Sequence, residues 1–140
     1  VSFHGDSNGL STQPVLQVII EFAQTRYPDH LLLCGLDANT HSASADCLLH
    51  HVDSFARFLS ENGLASLWGP RPDPDLRTAF SCRTYLQTQL NKAVPMSDRC
   101  LPKHQNLKDW IVCFRRQIVD FSFVERDNTG ARFFAPDTVL

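Results

Sequence analysis

The sequence lacks the features that define several broad classes of protein. It contains no apolar run near the roughly 20 residues that a membrane-spanning helix requires, and no CxxC pair, internal repeat or low-complexity segment. Its net charge of −2 provides no basic surface of the kind that marks strong non-specific binding to nucleic acid. Residues 1–5 show neither an initiator methionine nor a signal peptide, so we expect the chain to derive from a longer protein.

The cysteines do not indicate a disulfide scaffold. There are five of them, at wide spacings, and an odd number without paired spacing favours a reducing, intracellular setting. Cys47-x-x-His50 and Cys100-x-x-x-His104 could each be half of a zinc site. Neither has a well-spaced partner pair, so we do not expect structural zinc.

The order of the predicted elements is that of an α/β domain. With 140 residues, of which 43% are hydrophobic and 20% charged, the chain can bury a core as one domain or part of one. Its first half predicts a strand over residues 1–4, a helix from Ser11 or Thr12 to before Pro28, a strand ending at Leu36, and a helix over residues 44–62 that contains His50 and His51. The apolar face expected for the first helix consists of Val15, Leu16, Val18, Ile19, Phe22 and Ala23.

The second half predicts short strands around a long insertion. Residues 64–76 contain a glycine and three prolines and are expected to be a loop. The expected strands cover residues 78–80, 108–114, 117–125 and 131–135. The polar residues 83–98 are expected to form an ordered insertion.

The most informative segment runs from His30 to His41. Its apolar residues end abruptly in a polar stretch, which is typical of a buried strand that delivers polar side chains to a sheet edge. Residues at i and i+2 share a face, so Asp37 and Asn39 can point into one cleft. Asp37 could then hold a cation or orient a water, and Asn39 could donate to an oxyanion. The alternative is a turn in which each side chain bonds the nearby backbone.

Two further polar residues lie at strand ends. His4 closes the first predicted strand, and Asp109 opens a later one. A histidine, two carboxylates and an asparagine that converge on one cleft are suited to hydrolysis of a phosphate ester.

Three motifs resemble those of the endonuclease/exonuclease/phosphatase superfamily, which has the DNase I-like fold. Residues 35–39, Gly-Leu-Asp-Ala-Asn, resemble the family's Gly-Asp-x-Asn element with Leu36 inserted. Residues 78–80, Thr-Ala-Phe, resemble its Thr-Phe element with one extra residue. Residues 108–112, Lys-Asp-Trp-Ile-Val, resemble its Asp-Tyr-Ile strand with Trp110 in place of tyrosine. The three motifs follow one another in the family's order.

The resemblance implies the C-terminal half of a two-sheet α/β sandwich, with a mixed, mostly antiparallel sheet and helices on one face. The whole chain, residues 1–140, would be one partial domain. Such a half would leave one apolar sheet face uncovered, so we expect pairing with the remaining half of the domain or self-association.

The resemblance also implies roles for individual residues. Asp37 would orient or deprotonate the attacking water and bind Mg²⁺ or Mn²⁺. Asn39 would donate to a non-bridging phosphate oxygen, and His4 would contact the same phosphate. Asp109 would orient a general-base histidine.

Substrate-binding candidates are Thr78, Arg83 and Asn91, although the side chains of residues 83–92 could equally cap backbone groups. The family's metal-binding glutamate would lie upstream of Val1, and its Ser-Asp-His element downstream of Leu140. We therefore expect the 140-residue chain to be inactive alone. The substrate could be a nucleic acid, a nucleotide, an inositol phosphate or a phospholipid headgroup.

Two alternatives remain open at the level of sequence. Leu36 and Trp110 depart from the family pattern, which would fit a non-catalytic member that uses the fold for binding or scaffolding. The other alternative is an unrelated α/β domain in which Asp-x-Asn follows a strand by chance.

Overall fold

The computed structural model describes residues 1–42, 49–73, 75–80 and 105–118. In these residues two helices alternate with the first three of six strands, and a turn of 3₁₀ helix follows the last strand at Arg115–Gln117. The elements are β1 (Ser2–His4), α1 (Thr12–Arg26), β2 (Leu33–Asp37), α2 (Val52–Glu61), β3 (Leu64–Ser66), β4 (Ala79–Phe80), β5 (Gln105–Asn106) and β6 (Asp109–Phe114).

The main sheet is mixed and has the strand order β1-β2-β6-β3. β1 pairs with β2 in parallel, whereas β6 pairs antiparallel with both β2 and β3. β4 and β5 form a separate two-stranded ribbon. The expected α/β content and mixed sheet are confirmed. Within the described ranges there is no second large sheet of the kind that a complete sandwich contains.

The alternation of β2 and β6 gives the sheet two different faces, because successive side chains of a strand point to opposite sides. Cys34 and Leu36 of β2 and Trp110 and Val112 of β6 are buried. They belong to one hydrophobic core with Leu16 and Ile20 of α1 and Phe55 and Leu59 of α2. Trp110 meets the Phe55 ring edge-on, with 4.9 Å between ring centroids.

The opposite face of the sheet, the open face, is uncovered by the described residues. It carries Ser2, His4, Leu33, Gly35, Asp37, Asp109, Ile111 and Cys113. Leu33 and Ile111 are 54% and 47% exposed. A Cβ added at Gly35 would meet no atom within 4 Å, so nothing described lies over the centre of this face.

The prediction of the buried face of α1 is wrong in part. The helix buries Thr12, Leu16 and Ile20, whereas Val18 and Phe22 are 65% and 54% exposed. Apolar residues occupy more than one side of this helix, so their spacing does not select the inward side. The bond from Thr12 Oγ1 to the Ala38 carbonyl, at 3.1 Å, directs the Thr12 side of the helix toward the sheet.

The second helix begins later than His50 and His51. It starts at Val52, and its cap residue His51 has extended backbone with ψ 142°. The backbone of His50 instead bonds two other loops. Its N–H donates to the Asn8 carbonyl at 2.9 Å, and its carbonyl accepts the His41 N–H at 2.8 Å. Residues 44–48 of the expected helix lie outside the described residues.

The expected loop over residues 64–76 begins with a strand. Gly63, with φ +67°, lets the chain leave α2 and enter β3 directly. Leu64 then pairs with Phe114 and is only 2% exposed. This burial explains why the strand forms beside a proline-rich segment.

Several other expectations fall at or beyond the limits of the described residues. The short strands expected at residues 78–80 and 108–114 are confirmed, as Ala79–Phe80 and Asp109–Phe114. Gln117 lies in the 3₁₀ helix rather than in a strand, because its side chain bonds the Leu32 N–H and the His30 carbonyl. Residues 119–125, 83–98 and 131–135 are outside the described ranges. Neither α1 nor α2 combines the length and apolarity needed to cross a bilayer.

Candidate functional site

Three of the candidate residues lie side by side on the open face. His4 of β1 is the strand partner of Asp37, and Asp37 is the strand partner of Asp109 of β6. His4 Nδ1 lies 3.7 Å from Asp37 Oδ2. The His4 side chain is 76% exposed and that of Asp37 27% exposed. Register and alternation thus bring together side chains that are more than 100 residues apart in the sequence.

The loop after β2 shows that Asp37 also makes a local turn. Its Oδ1 accepts the Asn39 N–H at 3.0 Å, and its carbonyl accepts the Gly5 N–H at 2.8 Å. Oδ1 therefore makes the turn contact that the structural alternative proposed. Oδ2 faces His4, so the same carboxylate contributes one oxygen to the turn and one to the open face.

Asn39 is held in an unusual backbone conformation directly behind this carboxylate. Its φ of +48° lies in the left-handed region, which asparagine tolerates better than most residues. It is 4% exposed. Its Nδ2 donates to the Gly5 carbonyl at 2.9 Å, and its Oδ1 accepts from Lys108 Nζ at 2.7 Å.

Thr78 anchors the start of β6. Its Oγ1 accepts the N–H groups of Lys108 and Asp109, at 2.9 Å and 3.0 Å. The Thr78 N–H itself donates to the Asn106 carbonyl. Thr78 therefore fixes the backbone that carries Asp109, and its hydroxyl lies next to the candidate site. Arg83 and Asn91 lie outside the described residues.

Two of the residues beside the site were not singled out from the sequence. Lys108 directly precedes Asp109, but only the strand register shows that its side chain reaches Asn39. Gly9 has φ +74°, and a Cβ there would lie 2.7 Å from the Ala38 and Asn39 carbonyls. This close approach requires glycine. The two glycines in residues 5–9 indicate a turn at this place in the sequence. They do not show that Gly9 lies against the loop that follows β2.

The two carboxylates of the site are only part of a ligand set for a divalent cation. Carboxylate oxygens are the ligands that Mg²⁺ and Mn²⁺ prefer, and the paired Asp37 and Asp109 carry them on one face. No group of three or more histidine, cysteine, aspartate or glutamate side chains within the described ranges is arranged to hold a metal. The pair alone would therefore hold only a cation that retained several waters or took further ligands from elsewhere.

A second group of polar side chains lies on the other side of this loop. His50 is 5% exposed, and its Nε2 lies 2.8 Å from Gln13 Nε2. Burial lowers the pKa of His50 below its usual range, against the opposing effects of the Ala38 carbonyl and Asp6. Burial also lowers the pKa of His41, and the charge of Lys108 adds to that shift.

Comparisons with known proteins do not assign the chain to a family. No family model, no curated protein and no solved structure matches it. The arrangement of these side chains is therefore the basis for a functional proposal.

Proposed function

We propose that the chain is part of a Mg²⁺- or Mn²⁺-dependent phosphoesterase of the endonuclease/exonuclease/phosphatase superfamily. The observation that carries the proposal is the row formed by His4, Asp37 and Asp109 across adjacent strands. Asn39 and Lys108 border this row. The arrangement combines carboxylates for a cation or a water with donors for a phosphate oxygen.

The residues divide into two chemical groups. Asp37 and Asp109 would hold or orient the groups that handle the attacking water, and a bound cation would polarise the phosphate and stabilise the leaving oxygen. His4 and Asn39 would donate to phosphate oxygens as negative charge increases. The 76% exposure of His4 leaves it accessible to a substrate that approaches the open face.

The departures from the family motifs do not alter the open face. Leu36 and Trp110 are 4% and 2% exposed and face the core. The indole N–H of Trp110 donates to Thr40 Oγ1 at 3.0 Å. Both residues therefore contribute to the core, and neither occupies a position on the open face where the proposed site lies.

The second candidate function is a non-catalytic binding or scaffolding domain of the same fold. It is favoured by Asn39, whose amide oxygen and nitrogen both have partners within the protein at 4% exposure. An asparagine that serves only to tie Gly5 to Lys108 would need no substrate. Activity measurements separate the two candidates.

The test is hydrolysis of a generic phosphodiester and a generic phosphomonoester by the longest natural protein that contains these residues, with Mg²⁺ and with EDTA. We expect Mg²⁺-dependent turnover. Asp37→Asn and Asp109→Asn should each lower kcat by about 100-fold or more. Asp29→Asn, at the exposed turn that precedes the opposite end of β2 from Asp37, is the matched control. Turnover that persists in both site variants would refute the assignment, and complete inactivity of the protein with retained ligand binding would favour the second candidate.

The open face supports an accompanying proposal about partners. Its Leu33 and Ile111, together with the neighbouring Val1 and Leu31, are about half or more exposed, at 54%, 47%, 61% and 68%. Apolar surface of this kind is usually covered in a native assembly. We propose that the remaining half of the domain, or a second copy of the chain, covers these apolar residues and leaves the row of His4, Asp37 and Asp109, at the opposite end of β2 from Leu33, open to substrate.

A further inference from the structure

Lys108 is fixed at the start of β6 by its own backbone. Its N–H donates to Thr78 Oγ1, and its carbonyl accepts the Ala38 N–H at 2.8 Å. These bonds attach it both to the β4 side and to the loop that follows β2. Its side chain is half-buried, so its ammonium has a defined position rather than a free surface one.

The ammonium and the Gly5 carbonyl set a single orientation for the Asn39 amide. An ammonium only donates and a backbone carbonyl only accepts. Oδ1 must therefore face Lys108, at 2.7 Å, and Nδ2 must face Gly5, at 2.9 Å. A bond from a charged donor is roughly twice as strong as a neutral one, so Lys108 supplies the larger part of this restraint.

The charge of Lys108 also acts on the amide. No carboxylate among the described residues lies within ion-pair distance of its Nζ. The ammonium draws electron density toward Oδ1 and makes the Nδ2 hydrogens better donors, because hydrogen-bonded groups polarise one another. Nδ2 carries a second N–H in addition to the one that Gly5 accepts.

We propose that Lys108 is a positioning residue of this site. It fixes and polarises the Asn39 amide, so that the second N–H of Nδ2 donates to a non-bridging oxygen of the bound phosphate ester. This role rests on the proposed function, because it needs a phosphate at the site.

A double-mutant cycle in the Mg²⁺-loaded, longest natural protein tests the role. Lys108→Met keeps the apolar stem and removes the donor. Asn39→Gly removes the amide without strain, because glycine adopts positive φ. Lys108→Met should lower kcat about 10- to 100-fold and leave KM within about 2-fold, since the donation strengthens in the transition state. Lys108→Arg should recover part of the loss.

The decisive comparison is between Asn39→Gly and the double variant. If Lys108 acts through Asn39, the double variant should be no slower than Asn39→Gly alone. Losses that multiply would overturn the proposal, because Lys108 would then act on the substrate independently. Unchanged kcat in Lys108→Met would overturn it too. Arg26→Met, at an exposed position, controls for the loss of one positive charge.

A second readout separates failure of this role from failure of the proposed function. In the 140-residue chain, the two Nδ2 proton resonances of Asn39 should shift and broaden in Lys108→Met. Unchanged resonances would overturn the positioning role even if the protein hydrolyses phosphate esters. If the resonances change but the protein hydrolyses no phosphate ester, Lys108 still orients Asn39. The phosphoesterase assignment is then refuted.

Discussion

Asp37 and Asp109 are direct partners across the antiparallel pair of β2 and β6. Like charges that lie opposite each other on one sheet face destabilise the pairing. Two hydrogen bonds fix the backbone of Asp109 beside Asp37. Trp68 Nε1 donates to the Asp109 carbonyl at 2.8 Å, and Thr78 Oγ1 accepts the Asp109 N–H. The surrounding bonds thus hold two carboxylates together at a cost that a bound cation would offset.

Neutralising one carboxylate should therefore stabilise the chain in the absence of divalent cations. We expect Asp109→Asn to raise the free energy of unfolding by about 0.2–1 kcal/mol, measured by urea denaturation in EDTA. If Mg²⁺ binds at this pair, as proposed, it should stabilise the wild type more than the variant, because it then also offsets the repulsion between the two carboxylates. Asp29→Asn is the control. A loss of stability in Asp109→Asn would show that the pair is not repulsive.

Removing the charge of Lys108 should raise the pKa of His41. Burial is the main cause that lowers this pKa, and Lys108 and His51 add to it, while the Ser7 carbonyl opposes them. Lys108→Met removes one of the charges that disfavour the imidazolium, so the rise should be partial. An NMR pH titration of His41 Hε1 measures it, with Arg26→Met as the control. An unchanged titration would place the ammonium away from His41.

Acid should destabilise the chain through His50. Its folded-state pKa is lowered from the ordinary value of 6.5 by burial, so the unfolded chain binds the proton first as the pH falls. Stability should be fully present above about pH 7 and decrease as the pH falls below 6.5 toward the folded pKa. Urea denaturation at several pH values should show this decrease.

The matching variant is His50→Gln, which can still bond Gln13 and does not titrate. It should reduce the slope of stability against pH, although His41 retains a part of it because burial lowers its pKa as well. His30→Gln, which removes an exposed histidine, is the matched control. A slope equal to that of the wild type in His50→Gln would exclude His50 as the cause.

Polar substitutions on the open face should reduce association at little cost in stability. Ile111 and Leu33 are about half exposed, so Ile111→Thr with Leu33→Thr should change the free energy of unfolding by about 0.5 kcal/mol or less. Threonine is β-branched, and strands favour β-branched residues. Sedimentation velocity should show larger species for the wild type and a shift to monomer for the variant. A wild type that is monomeric at all concentrations would contradict the proposal.

The sequence predicted the strands that carry the site better than it predicted the helices. The polar end of β2 and the start of β6 are sharp changes from apolar to polar residues, so Asp37 and Asp109 could be placed at strand ends. The inward side of α1 is the row of Thr12, Leu16 and Ile20, and the spacing alone did not select it because apolar residues also occupy other sides of the helix.

The pairing partners of the candidate residues could not be derived in the same way. The contact between Lys108 and Asn39 depends on the register of β2 with β6, a long-range pairing that local patterns leave open. The short strand at Leu64–Ser66 was not predicted, because the prolines that follow it favour a loop. It forms because the pairing of Leu64 with Phe114 outweighs this local preference.

The most direct test of the site is the position at which the 140-residue chain binds Mn²⁺. Substoichiometric Mn²⁺ broadens NMR signals steeply with proximity, so the amide signals of His4, Asp37, Asn39 and Asp109 should be lost first. The combined variant Asp37→Asn and Asp109→Asn should retain them at the same Mn²⁺ concentration. Broadening that is no stronger at these residues than around the exposed Asp29, or that persists in the combined variant, would contradict a divalent-cation site on the open face.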